Sequence, residues 1–178
     1  MIKYKNLIGM KVLDVESNEK IGEVYDGILS KNLKYLTNIV IKNGKLIKEK
    51  NTLPLKKIIS FKKDSIIVNG NSIIKFEEWN EQECVSIEKI KFIDKIVYTE
   101  TGECLGMVKD LLFNFNDGKL VGYIITEGFL EDISKGRSFI PDVGDIRIND
   151  DSLIVGENIK DIISKNKEYY KKLLELVQ

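Results

Sequence analysis

Histidine is absent from the 178 residues, which removes the side chain most often used as general acid, general base and metal ligand. Cysteine is nearly absent. Cys84 and Cys104 are too few for a disulfide scaffold or a four-cysteine zinc site. No run approaches the roughly 18 apolar residues that cross a bilayer. The opening Met1-Ile2-Lys3-Tyr4-Lys5 lacks the continuous apolar core of a signal peptide, so the chain is expected to be cytoplasmic. Hydrophobic residues at 43% and charged residues at 31% are those of a folded chain, not a disordered one. Lysine outnumbers arginine by 26 to 2 beside 27 Ile and 14 Asn, a bias shared by AT-rich codons, so lysine abundance alone argues little for nucleic-acid binding.

What is present is a duplication. Residues 12–29, VLDVESNEKIGEVYDGIL, align with 96–113, IVYTETGECLGMVKDLLF, at an offset of 84. That register sets Glu16 on Glu100, Glu19 on Glu103, Gly22 on Gly106, Val24 on Val108 and Asp26 on Asp110. It runs without a gap into Leu36–Ile41 and Leu120–Ile125, resumes after a three-residue insertion at Pro54 and Pro141, and ends with DSIIV at 64–68 against DSLIV at 151–155.

Each copy reads as β structure. Short runs of Val and Ile suit a pleated surface. Turn chemistry separates them: Ser17-Asn18, Asn43-Gly44, Lys63-Asp64 and Asn69-Gly70, then Thr101-Gly102, Asn116-Asp117-Gly118 and Asn149-Asp150. Residues 39–47, IVIKNGKLI, are expected to form a hairpin. Gly22 and Gly106, inside strand patterns, mark a bulge or a bend at a barrel corner. Gly102 and Gly106 lie four apart and match neither phosphate-loop spacing.

This order of elements resembles the PRC-barrel family, which includes the cytoplasmic domain of the photosynthetic reaction centre H subunit and the C-terminal domain of the ribosome maturation factor RimM. The motif is a strand, an acidic turn, an Ile/Leu-Gly-x-Val strand, a hairpin, a proline after a short strand and a closing Asp-Ser-Ile/Leu-Ile-Val strand. The resemblance implies a mainly β chain of two tandem, small, partly open barrels used for protein contacts or RNA-associated assembly. Small soluble members in spore-forming bacteria are similar in length and pattern. The expected organisation is a first unit over 1–70, an acidic linker over 71–90, a second unit over 91–156 and a C-terminal amphipathic helix over 157–178.

Four glutamates, Glu77, Glu78, Glu81 and Glu83, surround Trp79 in the linker. Trp79 is a candidate interaction anchor, although packing between the barrels explains it more simply. In the tail, Ile159, Ile163, Asn166, Tyr170, Leu173 and Val177 alternate at steps of four and three, with Asn158 as expected N-cap. Docking onto the chain's own barrel is preferred to a homodimer helix.

The net charge of zero conceals a split. Residues 1–76 carry 15 lysines against 7 acids, and residues 85–156 carry 8 bases against 13 acids. A basic face is expected from Lys34, Lys42, Lys45, Lys48, Lys50, Lys56 and Lys57, which would steer a polyanion. Arginine is missing there, and Tyr35 and Phe61 are the only aromatics between residues 31 and 63.

No catalytic constellation emerges, and no metal or cofactor is expected. Cys104 falls at the repeat position of Lys20, which indicates a tolerant rim rather than an activated thiolate. Asp142, Asp145, Asp150 and Asp151 lack calcium-loop spacing. The reading is a non-catalytic interaction module with a protein partner, and the alternative is an RNA- or ribosome-associated factor.

Overall fold

The computed structural model describes residues 1–43, 50–75, 84–127, 138–143 and 146–176. The chain divides into two compact units. The first comprises Tyr4–Lys89 and Phe115–Lys119, and the second comprises Met1–Lys3, Ile90–Asn114 and Leu120–Gln178.

Helix α1 (Tyr4–Leu7) opens the first unit and is followed by β2 (Lys11–Asp14), β3 (Lys20–Ser30), β4 (Leu36–Lys42) and β5 (Lys50–Pro54), β1 being Ile2–Lys3 of the second unit. A 3-10 turn (Leu55–Lys57) leads to β6 (Ile58–Phe61) and β7 (Ser65–Val68), and another (Gly70–Ser72) to β8 (Ile74–Lys75). β9 (Cys84–Ser86) and α2 (Ile87–Ile90) complete the element order there. The sheet order is β6-β7-β2-β3-β4-β5-β8, with β9 added to β3. β2 and β7 run parallel; the other pairs are antiparallel. Val12, Val24, Ile28, Ile39, Leu53 and Ile66 are buried, the β-branched runs turning one face inward.

The second unit repeats the plan with β10 (Ile96–Thr99), β11 (Cys104–Phe113), β12 (Leu120–Thr126), β13 (Ser138–Pro141), β14 (Arg147–Ile148) and β15 (Ser152–Val155). The order is β13-β12-β11-β10-β15-β14, with β1 added to β11 and β10 parallel to β15. The strand ahead of each repeat thus joins the other repeat's sheet. β9 lies along β3 with Ser86 opposite Ile28, and β1 lies along β11 with Ile2 opposite Phe113. The segment read as a linker accordingly contributes β8 and β9 to the first sheet, while Trp79 and Glu77, Glu78, Glu81 and Glu83 lie outside the described residues.

The pairings correct the sequence alignment in one place. Val12 stands opposite Gly22 and Val97 opposite Gly106, so the first strands correspond at an offset of 85. Val15 and Glu100 donate their N–H groups to Val68 and Val155, which puts Val15, not Glu16, at the position of Glu100. The β2–β3 turn holds one extra residue, which the matching glutamates concealed. Gly22 and Gly106 sit at the register shift, as a bulge requires. A Cβ at Gly22 would lie 2.6 Å from the Lys42 carbonyl oxygen, and Gly106 adopts φ +126° against the Thr126 carbonyl. Pro54 and Pro141 end β5 and β13 opposite Asn38 and Gly122, the equivalent positions of β4 and β12. Gly44 of the expected Asn-Gly turn lies outside the described residues, but β4 and β5, which it joins, pair antiparallel.

The tail is not one helix. It forms α3 (Ile159–Lys165) and α4 (Lys167–Leu176), broken at Asn166 with φ −116° and ψ 17°. Asn166 is exposed, and its side-chain amide donates to the Ile162 carbonyl at 2.8 Å. Asn158 takes the expected N-cap position, its carbonyl accepting the Ile162 N–H at 3.1 Å, but it adopts helical angles and its side chain makes no cap hydrogen bond. Leu173 is buried with Leu112, Ile124 and Phe139 of the second unit, flanked by Tyr170, Leu174 and Val121. Ile159 is buried and Ile163 half-buried; Val177 lies outside the described residues. Among the described residues no helix is long and apolar enough to cross a membrane.

Removing Met1–Lys3 is expected to destabilise the second unit by about 1.5–3 kcal/mol, the burial value of an aliphatic side chain such as Ile2. Urea denaturation measures the loss, and amide exchange should quicken around Leu112 and Phe113. Unchanged protection at those amides would contradict the pairing.

Candidate functional site

Asp26 lies inside the first unit, at a bulge of β3 with 2% exposure. A carboxyl buried so deeply is costly unless donors surround it. The Tyr4 hydroxyl donates to Oδ1 at 2.6 Å and the Gly27 N–H at 2.7 Å. The Ser86 hydroxyl donates to Oδ2, and the Glu88 N–H approaches both oxygens at 3.3 and 3.4 Å. Ser86 Oγ in turn accepts the Lys89 N–H at 3.2 Å, capping α2. Tyr25 adds a hydrogen bond from its hydroxyl to Glu88 at 3.0 Å. One carboxyl therefore gathers α1, β9 and the start of α2.

Asp110 holds the same bulge position in the second unit and is equally buried, accepting the Leu111 N–H at 2.9 Å. The two aspartates matched in the sequence alignment, yet nothing marked them as interior. An acid recurring inside an apolar strand at the repeat offset was the available signal. Lys95 was also missed. It is 4% exposed, replaces Met10 of the first unit, and donates its ammonium to the carbonyls of Asn149 and Asp150, at 2.7 Å for Asn149. The buried ammonium anchors the turn between β14 and β15.

The exposed turns are tied by acids of another kind. Asp14 accepts the N–H groups of Glu16, Ser17 and Gly70 at 2.8, 3.0 and 2.7 Å, and these bonds, Ser17 foremost, lower its pKa. Glu157 accepts the hydroxyl and N–H of Thr101 at 2.7 and 2.8 Å, which lowers its pKa and fixes the approach to α3. Arg147 pairs with Glu100 at 2.8 Å.

Of the lysines expected to form a basic face, Lys34, Lys42, Lys56 and Lys57 are described, and they lie at separate places in the first sheet. Lys42 ends β4, with its ammonium 5.4 Å from the centre of the Tyr25 ring. Lys34 is half-buried in the β3–β4 hairpin, whereas Lys56 and Lys57 follow β5 at the far end of that strand from Lys42. Lys45 and Lys48, and the side chain of Lys50, lie outside the described residues. Lys56 and Lys57 instead share the β6 hairpin with Lys62 and Lys63, all four exposed. Cys104 is exposed and stands opposite Tyr98 as Lys20 stands opposite Leu13, at the rim position expected for it. Among the described residues no three His, Cys, Asp or Glu side chains group to hold a metal ion.

The model of the PRC-barrel domain matches residues 1–73 and again residues 90–162. The chain belongs to the PRC-barrel family. No curated protein matches the sequence. The two matches fall on the two repeats, so this is a tandem PRC-barrel protein whose barrels share a plan and differ in the polar groups they bury: Asp26, bonded to Tyr4 and Ser86, in the first, and Asp110 and Lys95 in the second.

Burial, and in the first PRC-barrel Asp26 beside it, push the Tyr4 hydroxyl far above its ordinary pKa of 10.0. Burial, with a smaller effect of Asp142, does the same to Tyr123 of the second. Folding therefore holds two protons that the unfolded chain releases above pH 10.0. Stability from this source is complete below that pH and falls above it, by up to about 1.4 kcal/mol per pH unit for each tyrosine. Denaturation midpoints measured across the alkaline range should show the fall, and a Tyr4→Phe, Tyr123→Phe variant should show much less of it. Identical alkaline profiles would contradict the assignment.

Proposed function

We propose that this tandem PRC-barrel protein is a non-catalytic interaction module, a scaffold that binds another protein. The observation that carries the reading is the use of its buried polar groups. Asp26 is occupied by Tyr4, Gly27, Ser86 and Glu88, and Lys95 by two backbone carbonyls, so these interior side chains join segments. A general acid or nucleophile must instead face a substrate. What the barrels offer outward is surface, including the exposed Tyr35, Ile59 and Val143. The resemblance to small soluble relatives in spore-forming bacteria makes sporulation or a membrane-associated assembly the setting of this reading.

The second reading, an RNA- or ribosome-associated factor, draws on the four exposed lysines of the β6 hairpin. It fits less well, because that hairpin has no arginine and its aromatic side chain, Phe61, stacks on Phe115 with ring centres 4.0 Å apart.

Affinity capture with the C-terminally tagged full chain separates the two. The scaffold reading predicts a protein partner recovered in stoichiometric amount before and after nuclease treatment. Recovery of RNA, or of proteins that nuclease releases, would overturn it in favour of the second reading.

A further inference from the structure

The β6 hairpin differs between the two barrels where the fold makes no demand. In the first barrel Ser60 stands opposite Ile67 and Phe61 opposite Ile66; in the second, Arg147 stands opposite Ile154 and Ile148 opposite Leu153. This shared register puts Lys62 and Lys63 at the positions of Asn149 and Asp150, and Lys56, two residues after Pro54, at that of Val143 after Pro141. The second barrel builds its hairpin without a single lysine there. Lys56, Lys57, Lys62 and Lys63 are therefore no requirement of the fold.

None of the four forms an ion pair among the described residues. They lie in pairs at the two ends of β6, and the nearer members, Lys57 and Lys62, are five residue steps apart along an extended strand, about 16 Å. That exceeds the Debye length of about 8 Å at physiological salt, so each pair meets its own counter-charges. Between them the ladder passes from Ile58 opposite Val68 to Ser60 opposite Ile67, leaving Ile59 as the bulged residue, 57% exposed.

Lysines and a bulge on an edge strand also block pairing with a foreign strand. Edge protection explains the charges, but a charged residue at position 59 would serve it better. The bulge instead turns an aliphatic side chain to solvent. A phosphate backbone has no use for that side chain, and a β-strand partner is excluded by the broken ladder. A charged surface with an apolar layer beneath it uses both features.

We infer that the β6 hairpin of the first barrel is a docking tip for an anionic lipid bilayer. The four lysines meet the headgroups, and Ile59 enters the boundary with the acyl chains. This goes beyond the protein-partner reading and does not depend on it.

The test is co-sedimentation of the full chain with vesicles of phosphatidylcholine, with and without phosphatidylserine, at low and at physiological salt. Binding should require phosphatidylserine and weaken with salt. Each lysine contributes about fivefold near such a surface, so the K56Q/K57Q/K62Q/K63Q variant should lose roughly 600-fold, and either lysine pair alone about 25-fold. Replacing the same four by arginine should preserve binding. I59S should weaken it roughly tenfold at either salt, since this loss is apolar. Circular dichroism checks that each variant is folded, and the pair variants serve if the fourfold variant is not. Equal sedimentation with both vesicle types, or wild-type binding by folded lysine variants or by I59S, would overturn the inference. So would a lysine-dependent shift of single-stranded RNA with no vesicle binding, which would assign the hairpin to nucleic acid.

Discussion

The hydrogen bonding of Asp26 is the constraint on which the first barrel depends most. A carboxyl with 2% exposure must find its partners inside the protein, and those partners come from segments distant in sequence. Tyr4 brings α1, Ser86 brings β9, and the Glu88 N–H brings the first turn of α2. β9 could lie along β3 on ladder bonds alone, but three residues of ladder are little to hold it. The bonds to Asp26 add charge-assisted contacts that a neutral ladder lacks.

The duplication shows which parts of the plan are general and which belong to one copy. The long strands β3 and β11 bend at equivalent bulges, and each accepts a short strand from the other repeat. Around this frame the barrels diverge. β5 is flanked by β8, whereas the equivalent β13 is met by α3 and α4 and buries Phe139 against Leu173. Met10 of the first barrel becomes Lys95 in the second, exchanging an apolar plug for an ammonium that anchors a turn. The basic β6 hairpin belongs to the same divergence. Functional difference between the barrels is to be sought at such positions, not in the shared strands.

Much of the plan was legible in sequence because strand periodicity and turn residues are local signals. The β-branched runs, the glycines at the bulges and the prolines ending β5 and β13 carry their reasons within a few residues. The strand exchange was not legible, since Ile2-Lys3 and Cys84–Ser86 are too short to announce a partner. The one-residue insertion after Val15 was hidden because Glu16 lies opposite Glu100 in the ungapped alignment, and only the bonds to Val68 and Val155 reveal it. The tail misled for the opposite reason. Its apolar spacing continues through Asn166, but Asn166 is exposed and its amide bonds the preceding turn, so the helix breaks. Nor does sequence density say which end of β5 a lysine occupies: Lys42 stands opposite the start of that strand, whereas Lys56 and Lys57 follow its end.

The most direct test of this account is a double-mutant cycle between Tyr4 and Asp26, with Tyr4→Phe, Asp26→Asn and the pair measured by urea denaturation of the full chain. Their 2.6 Å bond should appear as a coupling energy of about 1.5–3 kcal/mol, as for a hydrogen bond to a charged group. Additive losses, within about 0.5 kcal/mol, would mean that Asp26 does not hold α1 and that the barrel rests on its ladders alone.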